Sequence, residues 1–101
     1  MNTAEYWQMV RSTAEEILDT AGDDQDAQDR CLYEASDSEV IYTSDCLDIL
    51  RISPSHEAYF EDFGELKASD FTETVTKLAH AALLCDLREK LSELMVERKR
   101  G

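Results

Sequence analysis

Apolar residues recur at intervals of three and four along the first 21 positions, which is the spacing of one face of a helix. Asn2, with Glu5 three residues later, has the pattern of a capping box at the helix start. Gly22 follows the last apolar position and predicts the helix end. We therefore expect an amphipathic first helix whose inward face carries Trp7, Val10, Ala14, Ile17, Leu18 and Ala21.

A second, shorter helix is predicted to start at Asp23 or Asp24. Aspartates in a first helical turn are favoured by the positive end of the helix dipole. The residues expected to face inward on this helix are Ala27, Cys31, Leu32 and Ala35.

The pattern changes at Ser36, where "SDSEVIYTSD" places turn-forming residues before the β-favouring run Val40, Ile41 and Tyr42. A lone strand leaves its backbone groups unpaired, so it needs a partner. We expect either a small hairpin with residues 32–35 or pairing with a second chain.

A short third helix is predicted through "DCLDILRI", capped by Thr43 or Ser44 and ended by Ser53 and Pro54. The stretch "SHEAYFEDFG" then predicts one or two further turns. Its aromatic anchor and its stop would be Tyr59, Phe60, Phe63 and Gly64.

The last segment predicts a long helix that starts with the capping pair Asp70 and Glu73. Its apolar stripe comprises Phe71, Val75, Leu78, Ala82, Cys85, Leu91 and Leu94. Unbroken from 70 to 98, this helix would be about 43 Å long, whereas a chain of this size has a radius of gyration of about 13 Å. Its end is therefore expected to bend, to protrude or to pack on another chain.

These elements predict one domain over residues 1–101, of α+β class and predominantly α-helical. It would have a long C-terminal helix and a short β-strand or hairpin near residues 32–43. A chain of 101 residues has room for one modest core.

Charge narrows the choice of partners. The chain has 23 acidic and 10 basic residues, a formal charge of −13, which disfavours direct contact with nucleic acid or anionic membranes. Between Glu15 and Glu73, 18 acidic residues stand against three basic ones. Five of the ten basic residues lie from Arg88 onward, where they either offset the helix dipole or grip an acidic partner.

The three cysteines, Cys31, Cys46 and Cys85, are expected to be small buried hydrophobes. With no predicted secretory signal or membrane span, the chain is predicted to be cytoplasmic with reduced thiols.

A calcium loop is not expected in "DTAGDDQDAQD", residues 19–29. An EF-hand needs glycine at position 6 and glutamate at position 12. Counting from Asp24 places Asp29 and Ala35 there, and counting from Asp19 places Ala21 at position 3 and Arg30 at position 12. No metal or other cofactor is predicted.

No catalytic signature is present either. His80 and Cys85 are five residues apart on the predicted last helix, about 140° around its axis, so they are poorly placed to act as a base and a nucleophile. The three glycines, at 22, 64 and 101, form no phosphate loop. We predict a protein that is not an enzyme.

Two functions remain open. In the first, the acidic surface imitates the phosphates of nucleic acid and occupies the basic surface of a nucleic-acid-binding protein. In the second, the chain is a helical adaptor or homodimer that binds through apolar helix faces, for example at Leu91 or Leu94, and its acids only confer solubility. The residues predicted to contact a basic partner are Asp19, Asp23, Asp24, Asp26, Asp29, Glu57, Glu61, Asp62 and Glu65.

The segment "VIYTSDCLDILRISPSHEAYFEDFGEL", residues 40–66, resembles a motif of small uncharacterised proteins from bacteriophages and other mobile elements. The match is about a quarter of the chain, and the resemblance carries over no functional residue. The motif residues are read first as fold. They are Val40, Ile41, Tyr42, Ser53, Pro54, Ala58, Tyr59, Phe60 and Gly64.

The resemblance implies a setting. Small acidic phage proteins that are not enzymes often inhibit host defence by occupying nucleic-acid-binding complexes, among them anti-CRISPR and anti-restriction proteins. The resemblance therefore favours an anti-defence inhibitor, with an anti-CRISPR protein as the expectation. The expected partner is then a basic, nucleic-acid-binding defence complex in the bacterial cytoplasm.

Overall fold

Four α-helices account for 91% of the residues that the computed structural model describes, which are 1–39, 43–54 and 71–100. Side chains are described for these residues except 37–39, 43–44 and 71–72. No strand occurs within these ranges, and the remaining described residues lie at helix ends and turns. The helices are α1 (Thr3–Ala21), α2 (Gln25–Glu39), α3 (Thr43–Ile52) and α4 (Phe71–Arg100).

The predicted β-strand or hairpin near residues 32–43, and with it the α+β class, is wrong. Residues 32–39 belong to α2, and α3 begins at Thr43. Leu32 and Ser36 are both buried and lie one helical turn apart, so packing of this face outweighs the weak helix propensity of the serines and aspartate that follow Ala35. Val40, Ile41 and Tyr42 themselves lie outside the described residues, as does the aromatic anchor.

Helix α1 begins and ends as its sequence predicts. The side chain of Asn2 accepts a hydrogen bond from the Glu5 amide at 2.8 Å, and Glu5 accepts one from the Asn2 amide at 3.3 Å. The amide of Gly22 donates to the Leu18 carbonyl at 2.9 Å. The inward face differs from the prediction, because Tyr6 is buried whereas Trp7 and Ala21 are only half-buried. The buried residues of α1 are Tyr6, Val10, Ala14, Ile17 and Leu18.

The start of α2 is also confirmed. The carboxylate of Asp24 accepts hydrogen bonds from the amides of Asp26 at 3.1 Å and Ala27 at 3.2 Å, as an N-cap residue does. Because the cap satisfies these two amides, α2 can begin at Gln25, three residues after α1 has turned at Gly22.

Helix α4 lies at the centre and packs against α1, α2 and α3. The longest dimension of the molecule, 48 Å, is close to the roughly 45 Å length of α4 itself. Buried side chains occur along α4 from Val75 to Leu94. They are Val75, Leu78, Ala79, Ala82, Leu83, Leu84, Asp86, Leu87, Leu91 and Leu94.

The end of α4 packs on its own chain. Leu91 and Leu94 are each only 4% exposed and belong to the common core, so they are not accessible for the partner contact that the adaptor alternative places on them. Two ion pairs join the last turns of α4 to α1, Arg98 to Asp19 at 2.9 Å and Glu97 to Arg11 at 3.7 Å.

We predict that Gly22→Ala destabilises the protein by about 1 to 3 kcal/mol, because Gly22 has φ +58° and ψ −131°, a conformation that a side chain strains. A Cβ built there meets no atom within 4 Å, so the loss would come from the backbone and not from a clash. Urea unfolding measures the effect. Gly→Ala at an unstrained position stabilises by about 0.4 to 1 kcal/mol, so a raised midpoint would contradict the prediction.

Candidate functional site

Five of the predicted partner-binding carboxylates lie around the turn from α1 to α2, and all five are exposed. Asp19 is in the last turns of α1, Asp23 and Asp24 are in the turn, and Asp26 and Asp29 are on the first turns of α2. The other four, Glu57, Glu61, Asp62 and Glu65, lie outside the described residues. The structure therefore brings together one of the two predicted acidic surfaces.

Two of these five aspartates are engaged within the chain. Asp24 caps α2, as described above. Asp19 pairs with Arg98, a base that its sequence neighbourhood does not reveal because it lies 79 residues away. A small cavity of about 240 Å³ beside this pair is lined by Asp23, Arg98 and Lys99 among others. The basic end of α4 therefore lies against the acidic turn between α1 and α2, and Arg98 forms an ion pair with Asp19 of its own chain.

The other three, Asp23, Asp26 and Asp29, form no ion pair with any described residue. We call these three residues the α2 acidic cluster. The positive end of the α2 dipole partly offsets the mutual repulsion of their carboxylates. They form the part of the predicted surface that remains available to a cation.

A groove runs between α2 and α4 beside this cluster, with a volume of about 390 Å³. Its apolar base contains Leu32, Leu91 and Met95. We call it the α2–α4 groove. Its polar walls are Gln25, Gln28 and Asp29 from α2, and Arg88 and Ser92 from α4.

Gln28 fixes one end of this groove. Its side-chain amide is buried, donates to the Gly22 carbonyl at 2.5 Å and lies 3.9 Å from the Met95 sulfur. The turn between α1 and α2 is thereby held against the last turns of α4.

Arg88, on the opposite wall, is directed toward an aromatic ring. Its guanidinium carbon lies 5.8 Å from the centroid of the Tyr33 ring, within cation–π range. The same ring stacks on His80, with centroids 6.4 Å apart and planes 25° from parallel. Tyr33 is 48% exposed, so this stack forms a surface across α2 and α4.

A buried polar cluster, which the sequence patterns did not indicate, joins three parts of the chain. Asp86 of α4 is 1% exposed and accepts hydrogen bonds from the Tyr6 hydroxyl and, at 2.6 Å, from the Ser53 hydroxyl. A helical wheel could have found it, because Asp86 falls between Val75 and Ala79 on the buried face. A carboxyl at such a position requires buried donors.

The cluster formed by Tyr6, Ser53 and Asp86 is better suited to a structural role than to a catalytic one. Burial, followed by the hydrogen bond to Asp86, raises the pKa of the Tyr6 hydroxyl above its ordinary value, so the hydroxyl stays protonated. All three side chains are fully buried, which keeps a substrate from reaching them. Ser53 is interpreted from the sequence as part of the fold, and its buried position here agrees with that.

Cys46 is buried as expected, and burial raises the pKa of its thiol, which disfavours the reactive thiolate. Cys31 and Cys85 are half-buried, and all three cysteines are unbonded. Within residues 1–39, 43–54 and 71–100, no group of three or more histidine, cysteine or acidic side chains is placed to hold a metal ion.

Comparison of the chain with protein-family models, curated proteins and solved structures gives no match. None of the helices in the described ranges combines the length and the apolar character needed to cross a membrane. The site therefore has to be interpreted from its own geometry.

We predict that Tyr6→Phe lowers the free energy of unfolding by about 1 to 3 kcal/mol, the usual cost of leaving a buried hydrogen-bond acceptor without one of its donors. Tyr33→Phe is the matched control, because it removes a hydroxyl from a half-exposed ring and should change stability by less than about 0.5 kcal/mol. Urea unfolding compares the two variants. Equal effects would show that the buried hydroxyl contributes no more than an exposed one.

We also predict that the stability gap between the native chain and Tyr6→Phe narrows above about pH 10. Above that pH an unfolded tyrosine loses its proton while folded Tyr6 keeps it, because its pKa is raised. Unfolding then releases a proton, and this contribution falls by about 1.4 kcal/mol per pH unit. Urea midpoints of both proteins from neutral to alkaline pH test this, and a constant gap would contradict it.

Proposed function

We propose that this chain is an acidic binding protein that is not an enzyme. It occupies the basic surface of a nucleic-acid-binding complex and so excludes the nucleic acid. The observation that carries the proposal is the α2 acidic cluster, three exposed carboxylates without an ion pair in the described chain. A basic partner surface gains the same counterion release from such carboxylates as from phosphates.

The spacing of the cluster supports mimicry. Asp26 and Asp29 are three positions apart on α2, a rise of about 4.5 Å. Successive phosphates along one strand of duplex DNA rise by about 3.4 Å, so the two arrays have a similar density of charge. Capping needs only Asp24, so these further acids exceed what the helix start requires.

The setting rests on the resemblance of residues 40–66 to phage and mobile-element proteins. We infer an inhibitor of bacterial defence that acts in the host cytoplasm, with an anti-CRISPR activity as the leading form. The partner is then a basic complex of the defence system, bound stoichiometrically.

The adaptor alternative has less support. It placed the contact on apolar positions of the last helix, but Leu91 and Leu94 are buried in this chain's own core. The large apolar side chains that are exposed in the described ranges are spread over the chain start and three helices. They are Met1, Tyr33, Leu47 and Val96. Scattered single residues of this kind are normal for a protein surface.

The test begins with capture of the partner from bacteria that carry defence systems, using the tagged native chain. We predict that the triple variant Asp23→Asn, Asp26→Asn and Asp29→Asn stays folded and binds the captured complex at least tenfold more weakly at low salt. Each exposed charge pair contributes up to about 1 kcal/mol, so three pairs could supply this loss. The plot of log affinity against log salt should also be shallower, because fewer ions are released.

The control is Glu73→Gln, Glu89→Gln and Glu93→Gln, which removes three exposed carboxylates from α4 and none from the cluster; Glu73 and Glu93, unlike the cluster, pair with Lys77 and Lys90. It changes net charge equally, so it should retain most of the affinity. Amide substitution of Glu57, Glu61, Asp62 and Glu65 tests the second predicted surface. If none of the three sets changes affinity or its dependence on salt, the proposal is wrong.

A further inference from the structure

The α2–α4 groove has the features of a receptor for one long cationic side chain. We propose that it takes a lysine or arginine side chain of the basic partner, with the aliphatic stem on the apolar base and the charged end at Asp29. This inference rests on the proposed function, and it names the contact by which a basic surface would be recognised.

The size of the groove limits what it can hold. Its volume of about 390 Å³ lies at the small end of ligand sites, which span about 300 to 1,000 Å³. Leu32 and Leu91 are almost fully buried beneath it, so an inserted group would meet an apolar surface that is already packed. A single extended side chain fits this space better than a helix face does.

The chemistry of the base and walls selects an amphipathic side chain. Leu32, Leu91 and Met95 favour methylene groups, while Asp29 on the rim has no ion pair in the described chain. A purely aliphatic group would remove water from this carboxylate without forming an ion pair with it, and this desolvation is unfavourable. An anionic group would be repelled by Asp29, and the Arg88 guanidinium, which could attract an anion, is directed over the Tyr33 ring.

The position of Arg88 determines which way the partner's cationic side chain would lie in the α2–α4 groove. Arg88 lines the opposite wall, and its guanidinium lies over the Tyr33 ring. A cation is repelled from Arg88, so its charged end is expected near Asp29 and Gln25. These two residues are one turn apart on α2 and offer a carboxylate and an amide oxygen.

Two synthetic peptides of equal charge separate insertion from simple charge attraction. Octalysine has four methylenes in each side chain, and the octamer of 2,4-diaminobutyric acid has two. Binding of each to the full chain is measured by calorimetry at mildly acidic pH, where both are fully charged. We predict that octalysine binds about tenfold more tightly, because two further methylenes are buried.

Filling the groove should remove this preference. Ser92→Phe places a ring in the groove from an exposed position of α4, without a change in charge. Ser12→Phe makes the same change on the exposed face of α1, outside the groove, and should keep the tenfold difference. If Ser92→Phe reduces stability, Gln25→Phe fills the groove from α2 instead.

The outcomes distinguish the groove from the proposed function. Equal affinity for the two peptides, or a preference that survives filling of the groove, overturns the groove proposal. If the asparagine variants of the α2 acidic cluster still weaken both peptides in that case, acidic recognition stands. If neither peptide binds at low salt, both the groove and the acidic surface are wrong as receptors for cations.

Discussion

The structure depends on covering α4, whose buried side chains extend roughly 240° around its axis at about 100° per residue. An apolar surface that wide needs several neighbours, and α1, α2 and α3 supply them. Asp86 adds a polar condition, because its buried carboxyl must be satisfied as the core closes. The hydroxyls of Tyr6, on α1, and of Ser53, the residue after α3, donate hydrogen bonds to this carboxyl. Apolar area therefore drives assembly, and this polar cluster helps to fix how the helices are placed.

The same packing creates the surface proposed to bind. Gln28 holds the α1–α2 turn against the end of α4, which sets the groove beside the α2 acidic cluster. At the basic end of α4, Arg98 forms an ion pair with Asp19 and lies near Asp23. The chain thereby neutralises part of its own acidic surface. Exposed pairs of this kind contribute little stability and are screened by salt. A cationic partner would compete with Arg98 at modest cost.

The sequence predicted correctly those helix ends that are set by hydrogen bonds between near neighbours in the chain. Asn2 with Glu5, Gly22 and Asp24 act on backbone groups within four residues, so their roles could be inferred from spacing alone. The prediction failed where tertiary packing decides. Turn-favouring residues after Ala35 are weak compared with burial of the α2 face, and nothing local shows that α1 covers the end of α4. The groove, the Asp19–Arg98 pair and the Asp86 cluster each join residues far apart in the chain.

Charge is the remaining constraint on function. A net charge of −13 on 101 residues opposes folding through self-repulsion, and the folded chain relieves it only in part through its ion pairs. Acidic residues at a helix start reduce the cost of this repulsion by interacting with the helix dipole, and Asp24 also caps α2. Asp23, Asp26 and Asp29 lack an ion pair in the described chain, so their repulsion is offset mainly by the α2 dipole and by solvent. A cation brought to them by a partner would remove repulsion as well as add attraction. The proposed binding would therefore draw on electrostatic free energy that folding leaves unrelieved.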